Sequence, residues 1–450
     1  MPIPPTRSTE APRAFTIVGG GLGGALMAIT LGRDGYDVDL YERRGDPRSG
    51  KVDAGRSINL AISVRGIEAL RGVGLAEEVL RRAVPMRGRM IHGVSGDVVY
   101  QPYGVHPDQA INSVSRKDLN VMLIEAARAM PNVRVHFDHK CVGVDLETGR
   151  ARFHRGADGE SVETAPGVVI GADGAFSAVR AAMQRLDRFD YSQSYLAHGY
   201  KELSIPPGAD GRHRIERNAL HIWPRKSFMM IALPNIDGSF TCTLFWAHEG
   251  ENSAAAVRTD DEVRRFFDRV FPDAVPHMPT LIEDFRNNPN PSLVTIRCRP
   301  WHYRDKVVLL GDAAHAVVPF YGQGANCAFE DCPALRDCLR GSPTDLGAAF
   351  REYERRRKRH ADALADLAIG NFLEMRDKTG SRVFLMKKKG EKLLHRLLGD
   401  AYLPLYSMVS FSTIAYADAV ARARRQNRRL GAAAAAAVML LLIVLLLAAA

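Results

Sequence analysis

The sequence predicts an α/β protein in which a Rossmann-like dinucleotide-binding domain carries an inserted antiparallel β-sheet domain and is followed by a helical C-terminal region. Three observations predict this fold. A strand, a GxGxxG turn and a helix open the chain at residues 15–33. Two later hydrophobic strands, at 168–171 and 307–310, end in turns that contain Gly and Asp. Residues 189–300 between them alternate apolar and polar side chains, as antiparallel strands do.

Length and composition limit the classes of protein to consider. The 450 residues are 46% hydrophobic and 25% charged, which is typical of a globular protein of about two or three domain-sized units. The net charge of +10 comes partly from basic runs at 355–359 and 422–429, but no nucleic-acid-binding module accompanies them, so no nucleic-acid partner is expected. Six cysteines are scattered without CxxC spacing, which predicts neither disulfides nor a metal site and fits a cytoplasmic location.

The first motif has the full context of a dinucleotide site. The strand at 15–18 runs directly into Gly19, Gly21 and Gly24, and a second strand ends at Glu42, 18 positions after the last glycine. Such glycines permit a tight turn, a close backbone approach to a pyrophosphate and close helix packing, while the acid can accept hydrogen bonds from a ribose. Dinucleotide binding is therefore predicted for the N-terminal domain.

The second half of that domain is predicted from the two other turns. The strand at 168–171 ends in Gly-Ala-Asp173-Gly, and the strand at 307–310 ends in Gly-Asp312. A loop with Pro319, Gly322 and Gly324 then precedes a helical segment, so strand, acidic turn and helix N-termini together suit a polar cofactor.

The remaining patterns give the domain plan. Residues 133–137 and 142–146 are predicted to be strands that extend the first sheet, and 344–430 are predicted to be mainly helical, with a break at Pro404. The expected units are a first part of the dinucleotide domain at 1–188, the antiparallel sheet at 189–300, the return of the dinucleotide domain at 301–343, the helical region at 344–430 and a hydrophobic tail at 431–450.

The tail has the composition of a membrane segment. Residues 431–450 contain no charged or polar side chain, and a basic cluster precedes them. A helix of 20 residues is about 30 Å long, close to the thickness of a bilayer core. A basic flank keeps the preceding domain in the cytoplasm. The tail is therefore predicted to be a membrane anchor, with a helix that docks in a groove or on a partner as the alternative.

Several longer segments carry a resemblance to a known family. Besides the three turns, they are Gly55–Ala61, Met86–His92, Gln101–Gly104, Phe189–Gln193, His198–Leu203, His221–Arg225, Phe228–Asn235, Val318–Asp331 and Leu403–Met408. With these segments the chain resembles, from about residue 14 to 430, the group A flavoprotein monooxygenases of the para-hydroxybenzoate hydroxylase fold. Within that family it is similar to the branch that hydroxylates L-kynurenine.

The resemblance implies a cofactor, a reductant and a reaction. FAD would be tightly bound and NADPH would bind transiently, since a second GxGxxG is not present in the sequence. L-kynurenine would react with O₂ through a flavin C4a-hydroperoxide to give 3-hydroxykynurenine, in tryptophan catabolism and with NAD biosynthesis as one destination of the product. The residues implied to bind FAD are Gly19, Gly21, Leu22, Gly24, Glu42, Arg43, Arg44, Ala61, Arg116, Asp173, Asp312, Gly324, Ala325 and Asn326.

The resemblance also implies a substrate site without a protein nucleophile or metal. Arg89 with Tyr103 would hold the substrate carboxylate, and Asn371 and Tyr406 from the helical region would complete the set. An apolar wall around the ring would be formed by Ile231, Leu233, Phe245, Pro319 and Phe320. From its own strand pattern, Arg89 is equally well interpreted as an exposed strand charge. His92, His198 and His315 are interpreted as structural histidines.

Three other functions fit parts of the pattern. A related flavin monooxygenase could act on a different aromatic substrate, but many such substrates lack the amino-acid carboxylate that an Arg, Tyr, Asn and Tyr set would bind. A non-catalytic FAD- or prenyl-binding escort protein would share the GxGxxG domain but would not need the segment at 311–324. The tail would also fit a membrane-associated flavin reductase that acts on isoprenoids.

Overall fold

The structure, a computed structural model, describes residues 14–49, 59–104, 109–156, 158–377 and 382–449. The predicted α/β class is confirmed. The strands are, in chain order, β1 Ala14–Val18, β2 Asp37–Tyr41, β3 Leu60–Ile62, β4 Val84–Met86, β5 Gly88–His92, β6 Val98–Pro102, β7 Ile111–Val114, β8 Val133–His136, β9 His139–Asp145, β10 Arg150–Arg155, β11 Glu160–Glu163, β12 Val168–Gly171, β13 Asp190–Ile205, β14 Ala219–Arg225, β15 Phe228–Pro234, β16 Phe240–Ala247, β17 Ser292–Arg299, β18 His302–Tyr303 and β19 Val307–Leu309.

The α-helices connect these strands and build the C-terminal region. In chain order they are α1 Leu22–Arg33, α2 Val64–Gly72, α3 Ala76–Arg81, α4 Arg116–Arg128, α5 Ala178–Met183, α6 Asp260–Val270, α7 Leu281–Asn287, α8 Asp312–His315, α9 Gly324–Gly341, α10 Leu346–Asp377, α11 Arg382–Leu398, α12 Leu405–Ser410 and α13 Tyr416–Ala449.

A six-stranded sheet brings the three predicted turns together. Its order is β18-β19-β12-β1-β2-β8, and all its neighbours are parallel except β18 and β19. All four residues of β12 and all three of β19 are buried, as expected for a sheet covered on both faces. Because β1, β12 and β19 are adjacent and parallel, the turns that follow them meet at one edge of the sheet.

One strand prediction is wrong. The strand predicted at 133–137 does extend the six-stranded sheet as β8, but the strand predicted at 142–146 does not. It belongs to β9, which pairs with β10 in a separate three-stranded antiparallel sheet. The side chain of Val142 is 43% exposed, so this strand keeps one face in solvent and could not lie inside a sheet that is covered on both faces.

The second large sheet has seven strands in the order β17-β13-β16-β15-β14-β5-β6. Five of them come from residues 190–299, within the range predicted from alternation. The other two, β5 and β6, come from much earlier in the chain, and β5 pairs in parallel with β14. Arg89 lies on β5, so this pairing brings it beside the strands of the antiparallel sheet.

The two faces of the seven-stranded sheet pack against different partners. On one face, Trp223, Phe240 and Trp246 form a core with Phe266 and Phe267 of α6. On the other face, Ile222, Met229 and Phe245 pack against Phe320 and against Phe372 of α10. The second face therefore lies between the sheet and the C-terminal helices, which is where the candidate site is found.

Candidate functional site

The glycine-rich turn after β1 is shaped by close contacts. Gly19 has a positive φ of 107°, and a Cβ atom there would overlap the backbone of Ala172 in the turn after β12. The backbone N–H of Gly20 donates to Glu42 Oε2 over 2.9 Å, so the acid at the end of β2 also fixes this turn. An added Cβ on Gly21 would meet no atom within 4 Å, because this residue borders an open cavity.

That cavity has a volume of about 600 Å³ and runs from the glycine turn to the C-terminal helices. Twelve of the fourteen residues predicted to bind the cofactor line it, namely Gly19, Gly21, Leu22, Glu42, Arg43, Arg44, Ala61, Arg116, Asp173, Asp312, Gly324 and Ala325. All nine residues predicted to bind the substrate line it too, namely Arg89, Tyr103, Ile231, Leu233, Phe245, Pro319, Phe320, Asn371 and Tyr406. One continuous space therefore joins both predicted sets.

The two remaining predicted cofactor residues do not line the cavity. A Cβ on Gly24 would overlap the carbonyl oxygen of Gly19, so this glycine allows α1 to pack closely against the turn. The Asn326 side chain is buried and accepts a hydrogen bond from Ser63 N (2.9 Å), while its Nδ2 donates to the carbonyl groups of Ala61 and Gly322, both at 2.9 Å. The Gly24 and Asn326 positions therefore shape the wall of the cavity, and their predicted cofactor binding stays a prediction.

Two carboxylates face the middle of the cavity. Asp312 is open to the cavity and makes no hydrogen bond or ion pair with another described residue, while desolvation by the surrounding protein raises the pKa of its carboxyl group. Asp173 accepts backbone hydrogen bonds from Ala178 (2.7 Å) and Val179 (3.3 Å) through Oδ2, but its buried Oδ1 has no partner among the described residues. Burial also raises the pKa of Asp173. Both groups are suited to accept hydrogen bonds from a polar ligand.

Arg89 lies at the opposite end of the cavity beside two stacked aromatic rings. Its guanidinium carbon is 4.8 Å from the ring centre of Tyr406 and 5.4 Å from that of Tyr103, and the two rings stack with centres 5.6 Å apart. Burial disfavours the cation, but the phenol groups of Tyr406 and Tyr103 more than offset this effect and raise the pKa of Arg89. Its Nε is buried without a hydrogen-bond partner in the described chain. A desolvated, permanently charged group with an unused donor is a site for an anion.

The apolar side of this end is built from aromatic side chains. The ring centres of Phe245 and Phe320 are 4.8 Å apart, and those of Phe320 and Phe372 are 4.2 Å apart. Asn371 Nδ2 donates to the carbonyl oxygen of Phe320 over 2.6 Å, so the amide ties α10 to the loop before α9. The structure therefore brings Asn371 to the cavity as predicted and gives it a partner in the protein.

Sequence reasoning missed Tyr321. This residue lines the cavity beside Phe320, and its ring stacks on Tyr406 with centres 5.8 Å apart. The signal available in the sequence was the position of Tyr321 directly before Gly322. This glycine has a positive φ of 64°, so the chain turns there and consecutive side chains point in different directions. Asn59 was missed as well; it lines the cavity, and its Nδ2 donates to Asn235 Oδ1 over 2.6 Å.

A buried ionic cluster lies behind the site. His315 Nε2 is 2.6 Å from Asp331 Oδ2, and Arg357 Nε donates to Asp331 Oδ1 over 2.7 Å. Although burial opposes ionisation, His315 and Arg357 lower the pKa of Asp331. The Cys327 thiol is close enough to share a metal ion with His315 and Asp331, but burial raises its pKa and the carboxylate is already paired. We interpret the cluster as a structural tie between α8, α9 and α10, which agrees with the interpretation of His315 as structural.

Comparison with known proteins adds the family. The family described as "FAD binding domain" matches residues 14–368. Kynurenine 3-monooxygenase of Salinispora arenicola (strain CNS-205) is 50% identical over 415 residues, covering 92% of this chain and 91% of that protein. Kynurenine 3-monooxygenase of Dictyostelium discoideum is 45% identical over 428 residues, covering 92% of each. The chain belongs to the kynurenine 3-monooxygenase family.

Solved structures agree on the fold of this family member. The tetrameric form of 2-methyl-3-hydroxypyridine-5-carboxylic acid oxygenase superimposes with a TM-score of 0.67 at 22% identity, covering 83% of this chain and 95% of that one. P. aeruginosa PqsL in complex with 2-aminobenzoylacetate gives 0.61 at 22% identity, covering 81% and 96%. The kynurenine 3-monooxygenase family thus shares its fold with these proteins. The FAD-binding family and the curated relatives show that the chain is a flavin monooxygenase that binds FAD.

Proposed function

We propose that this protein uses FAD, NADPH and O₂ to hydroxylate L-kynurenine to 3-hydroxykynurenine. The observation that carries the proposal is the position of Arg89, which lies beside Tyr103 and Tyr406 in the cavity that also contains the dinucleotide turn. An enzyme whose substrate is an aromatic amino acid needs a cation for the carboxylate and an apolar slot for the ring. The names of the relatives support this substrate, because each is a kynurenine 3-monooxygenase.

The residues present fit FAD. The glycine turn leaves room for a pyrophosphate, and Glu42 is within reach of the adenosine ribose. The unpaired carboxylate of Asp312 would accept hydrogen bonds from the ribityl hydroxyl groups. The first turn of α9, with Gly324 and Ala325 on the cavity, would direct backbone N–H groups and the positive end of the helix dipole at the pyrimidine side of the flavin.

The substrate end fits a kynurenine molecule. Arg89 would hold the carboxylate with its planar guanidinium, and the hydroxyl groups of Tyr103 and Tyr406 would donate hydrogen bonds to the same group. The ring would lie against an apolar wall. The residues of this wall are buried or half-buried on the sheet or in the loop before α9, and they are Ile231, Leu233, Phe245, Pro319 and Phe320.

Bound FAD, after reduction by NADPH, would supply activated dioxygen, from which one oxygen atom goes to the ring carbon next to the aniline nitrogen. The work of the chain is then to fix the ring and keep water out. Anchoring the carboxylate at Arg89 fixes the distance from the ring to the turn at Asp312. The aromatic contacts of Phe320 with Phe245 and Phe372 close the apolar side, so a protein nucleophile or metal is not required.

We also propose the domain plan and the location of the protein. The dinucleotide domain (1–188 and 301–343), the sheet (189–300) and the helices (344–430) would meet at the cavity, with the tail at 431–450 outside it. Helix α13 has a long apolar part with exposed side chains and meets the length and hydropathy criteria for a membrane span over Tyr416–Ala448. Together with the basic cluster before it, this supports a cytoplasmic enzyme anchored to a membrane.

The direct test is an activity assay on the purified full chain. The protein should show a flavin absorption spectrum, and L-kynurenine should stimulate NADPH oxidation and yield a product heavier by one oxygen atom. An aromatic acid without the amino-acid group, such as 4-hydroxybenzoate, is the control for a related hydroxylase of other specificity. Stimulation by the control acid and not by kynurenine would replace this proposal with that alternative, and a protein that binds FAD without any NADPH oxidation would indicate a non-catalytic role.

A further inference from the structure

A second cavity, of about 790 Å³, lies behind the substrate end of the first one. It is enclosed by β6 and by helices α10, α11, α12 and α13. The same side chains form a boundary of both cavities: Arg89, Tyr103, Tyr321, Asn371 and Tyr406. The predicted carboxylate site is therefore a partition one side chain thick, with the cofactor residues on one side and the helical region on the other.

The second cavity reaches solvent on the helical side. Its lining includes Gly370 of α10 and Arg424 of α13, which are both exposed, and Asp366, whose side chain is 73% exposed. The exposed residues that line the first cavity include Arg43, Arg44 and Phe176 at its dinucleotide end. Bound FAD would fill that end, so a small molecule that arrives afterwards needs a different route to Arg89.

The lining charges of the second cavity are mostly paired. Asp362 pairs with Lys358 at 2.5 Å, Asp366 pairs with Arg297 at 2.5 Å, and Arg359 lies 3.4 Å from Asp418. Arg424 differs, because it makes no hydrogen bond or ion pair with any other residue that the structure describes. An incoming carboxylate therefore meets an unpaired cation, Arg424, at the opening of this cavity.

We propose that the second cavity is an antechamber through which an aromatic α-amino acid enters the active site. Its carboxylate is first attracted by Arg424 and then moves to Arg89, which borders both cavities, while the aromatic ring has to pass Tyr103 and Tyr406. The ring centres of the two tyrosines are 5.6 Å apart, so passage requires Tyr406 on the short helix α12 to swing away from Tyr103. The inference rests on the proposed function, since it concerns the same substrate.

The first test removes the charge at the mouth. Binding is followed without NADPH, under anaerobic conditions, as the rate of the flavin absorbance change on mixing holoenzyme with L-kynurenine. Arg424→Gln should slow association about three- to tenfold at low ionic strength, and the difference should shrink at 0.5 M NaCl, because screening removes electrostatic attraction. Arg425→Gln is the matched control, with the same charge change at an exposed neighbouring residue that does not line the cavity. Equal effects of the two substitutions would overturn the role of Arg424.

The second test blocks the space itself. An added Cβ on Gly370 meets no atom within 4 Å, so Gly370→Trp can place an indole ring in the cavity without displacing backbone. We expect association of L-kynurenine to slow about tenfold or more in Gly370→Trp. Gly370→Ala, which leaves the space open, and Gly72→Trp, at an exposed helix end with equal room and away from both cavities, should bind as the wild type does.

The outcomes separate this inference from the proposed function. Normal association in Gly370→Trp would overturn the antechamber while leaving kynurenine hydroxylation in place. Normal kynurenine association with slowed flavin reduction by NADPH would also overturn it and would assign the cavity to the nicotinamide nucleotide. A wild-type protein whose flavin spectrum does not respond to L-kynurenine would instead count against the proposed function.

Discussion

The guanidinium carbon of Arg89 lies 4.8 Å from the ring centre of Tyr406, so an early strand and the C-terminal helical region meet at one point of the cavity wall. An arginine stacked on an aromatic ring away from water is held in place before any ligand arrives. Its buried Nε has no hydrogen-bond partner among the described residues and is available to donate to a ligand. The energetic cost of leaving that donor unpaired is recovered only when an anion binds.

Removing this group should weaken substrate binding selectively. Arg89→Ala should raise the KM for L-kynurenine about 10- to 100-fold, since a hydrogen bond to a charged group contributes about 1.5–3 kcal/mol. Arg89→Lys keeps the charge but loses the planar fork, so an intermediate increase is expected. FAD content, measured from the absorption spectrum, should not change. Arg87→Ala, at an exposed residue two positions away that does not line the cavity, is the control, and an unchanged KM in Arg89→Ala would refute the carboxylate assignment.

The unpaired carboxylate of Asp312 leads to a prediction about the cofactor. Asp312→Ala should raise the Kd for FAD about tenfold or more, because it removes an acceptor for ribityl hydroxyl groups. Titration calorimetry of the FAD-depleted protein measures this effect. Asp305→Ala removes an exposed acid from the turn before β19 and should leave the affinity unchanged. FAD affinity equal to that of the wild type in Asp312→Ala would show that the carboxylate does not contact the cofactor.

The cofactor end of the cavity could be predicted from the sequence because it is built from local patterns. A strand followed by Gly19, Gly21 and Gly24, or by Gly311-Asp312, encodes a turn whose shape depends on a few neighbouring residues. Parallel strands then place the turns at the same edge, whatever lies between them in the chain. Even so, the pattern does not show the hydrogen bonds of the Asn326 side chain to Ser63 and Ala61, because these residues are far away in sequence.

The substrate end could be predicted only through the family resemblance. The strand pattern around Arg89 does not show that β5 pairs with β14, a partner more than a hundred residues away, nor that the partner of its side chain is Tyr406. Such contacts are set by tertiary packing rather than by periodicity. The error at 142–146 has the same origin, because a short alternating strand does not encode which sheet it joins.

The tail gives a prediction about location. The full chain should sediment with membranes and resist extraction by high salt, because the apolar part of α13 is exposed in the structure. Removal of residues 431–450 should release a soluble protein with an unchanged KM for L-kynurenine. Leu442→Arg should weaken membrane association, since an arginine in the middle of a spanning helix costs roughly 2.5–3.5 kcal/mol on insertion scales. A full-length protein that stays soluble, or is released by salt, would favour a tail that docks on a protein partner.

The buried pair of Asp331 and Arg357 should dominate the electrostatic part of stability. Asp331→Ala leaves Arg357 as a buried cation without its main partner, so the free energy of unfolding should fall by about 3–5 kcal/mol. Urea unfolding of the FAD-depleted protein measures the change. Glu352→Gln breaks ion pairs of the same helix on the surface, with Arg355 and Arg356, and should change the stability little because solvent screens exposed pairs. Similar losses in the two variants would contradict the proposed role of the cluster.

A chain of hydrogen bonds through two histidines predicts a response to acid. His92 Nδ1 lies 2.6 Å from Asp273 Oδ2, and His92 Nε2 lies 2.9 Å from His221 Nδ1; His221 Nε2 lies 2.8 Å from the carbonyl oxygen of Glu216. Both ends of the chain are hydrogen-bond acceptors, so His221 donates from Nε2 to the carbonyl oxygen of Glu216. Burial lowers the pKa of His221 to about 4, so its imidazole stays neutral above that pH.

The sign of the effect on stability follows from this shift. An unfolded chain binds a proton at His221 below about pH 6.5, whereas the folded protein does so only near pH 4, so stability falls as the pH drops through this interval. The complete shift corresponds to about 3 kcal/mol, and His221 contributes no pH dependence above about pH 6.5. Urea unfolding at pH 7.5 and 4.5 should show a smaller difference for His221→Asn than for the wild type. His154→Asn, at an exposed strand position, should retain the wild-type difference, and an equal difference in His221→Asn would show that this histidine is not the acid-sensitive group.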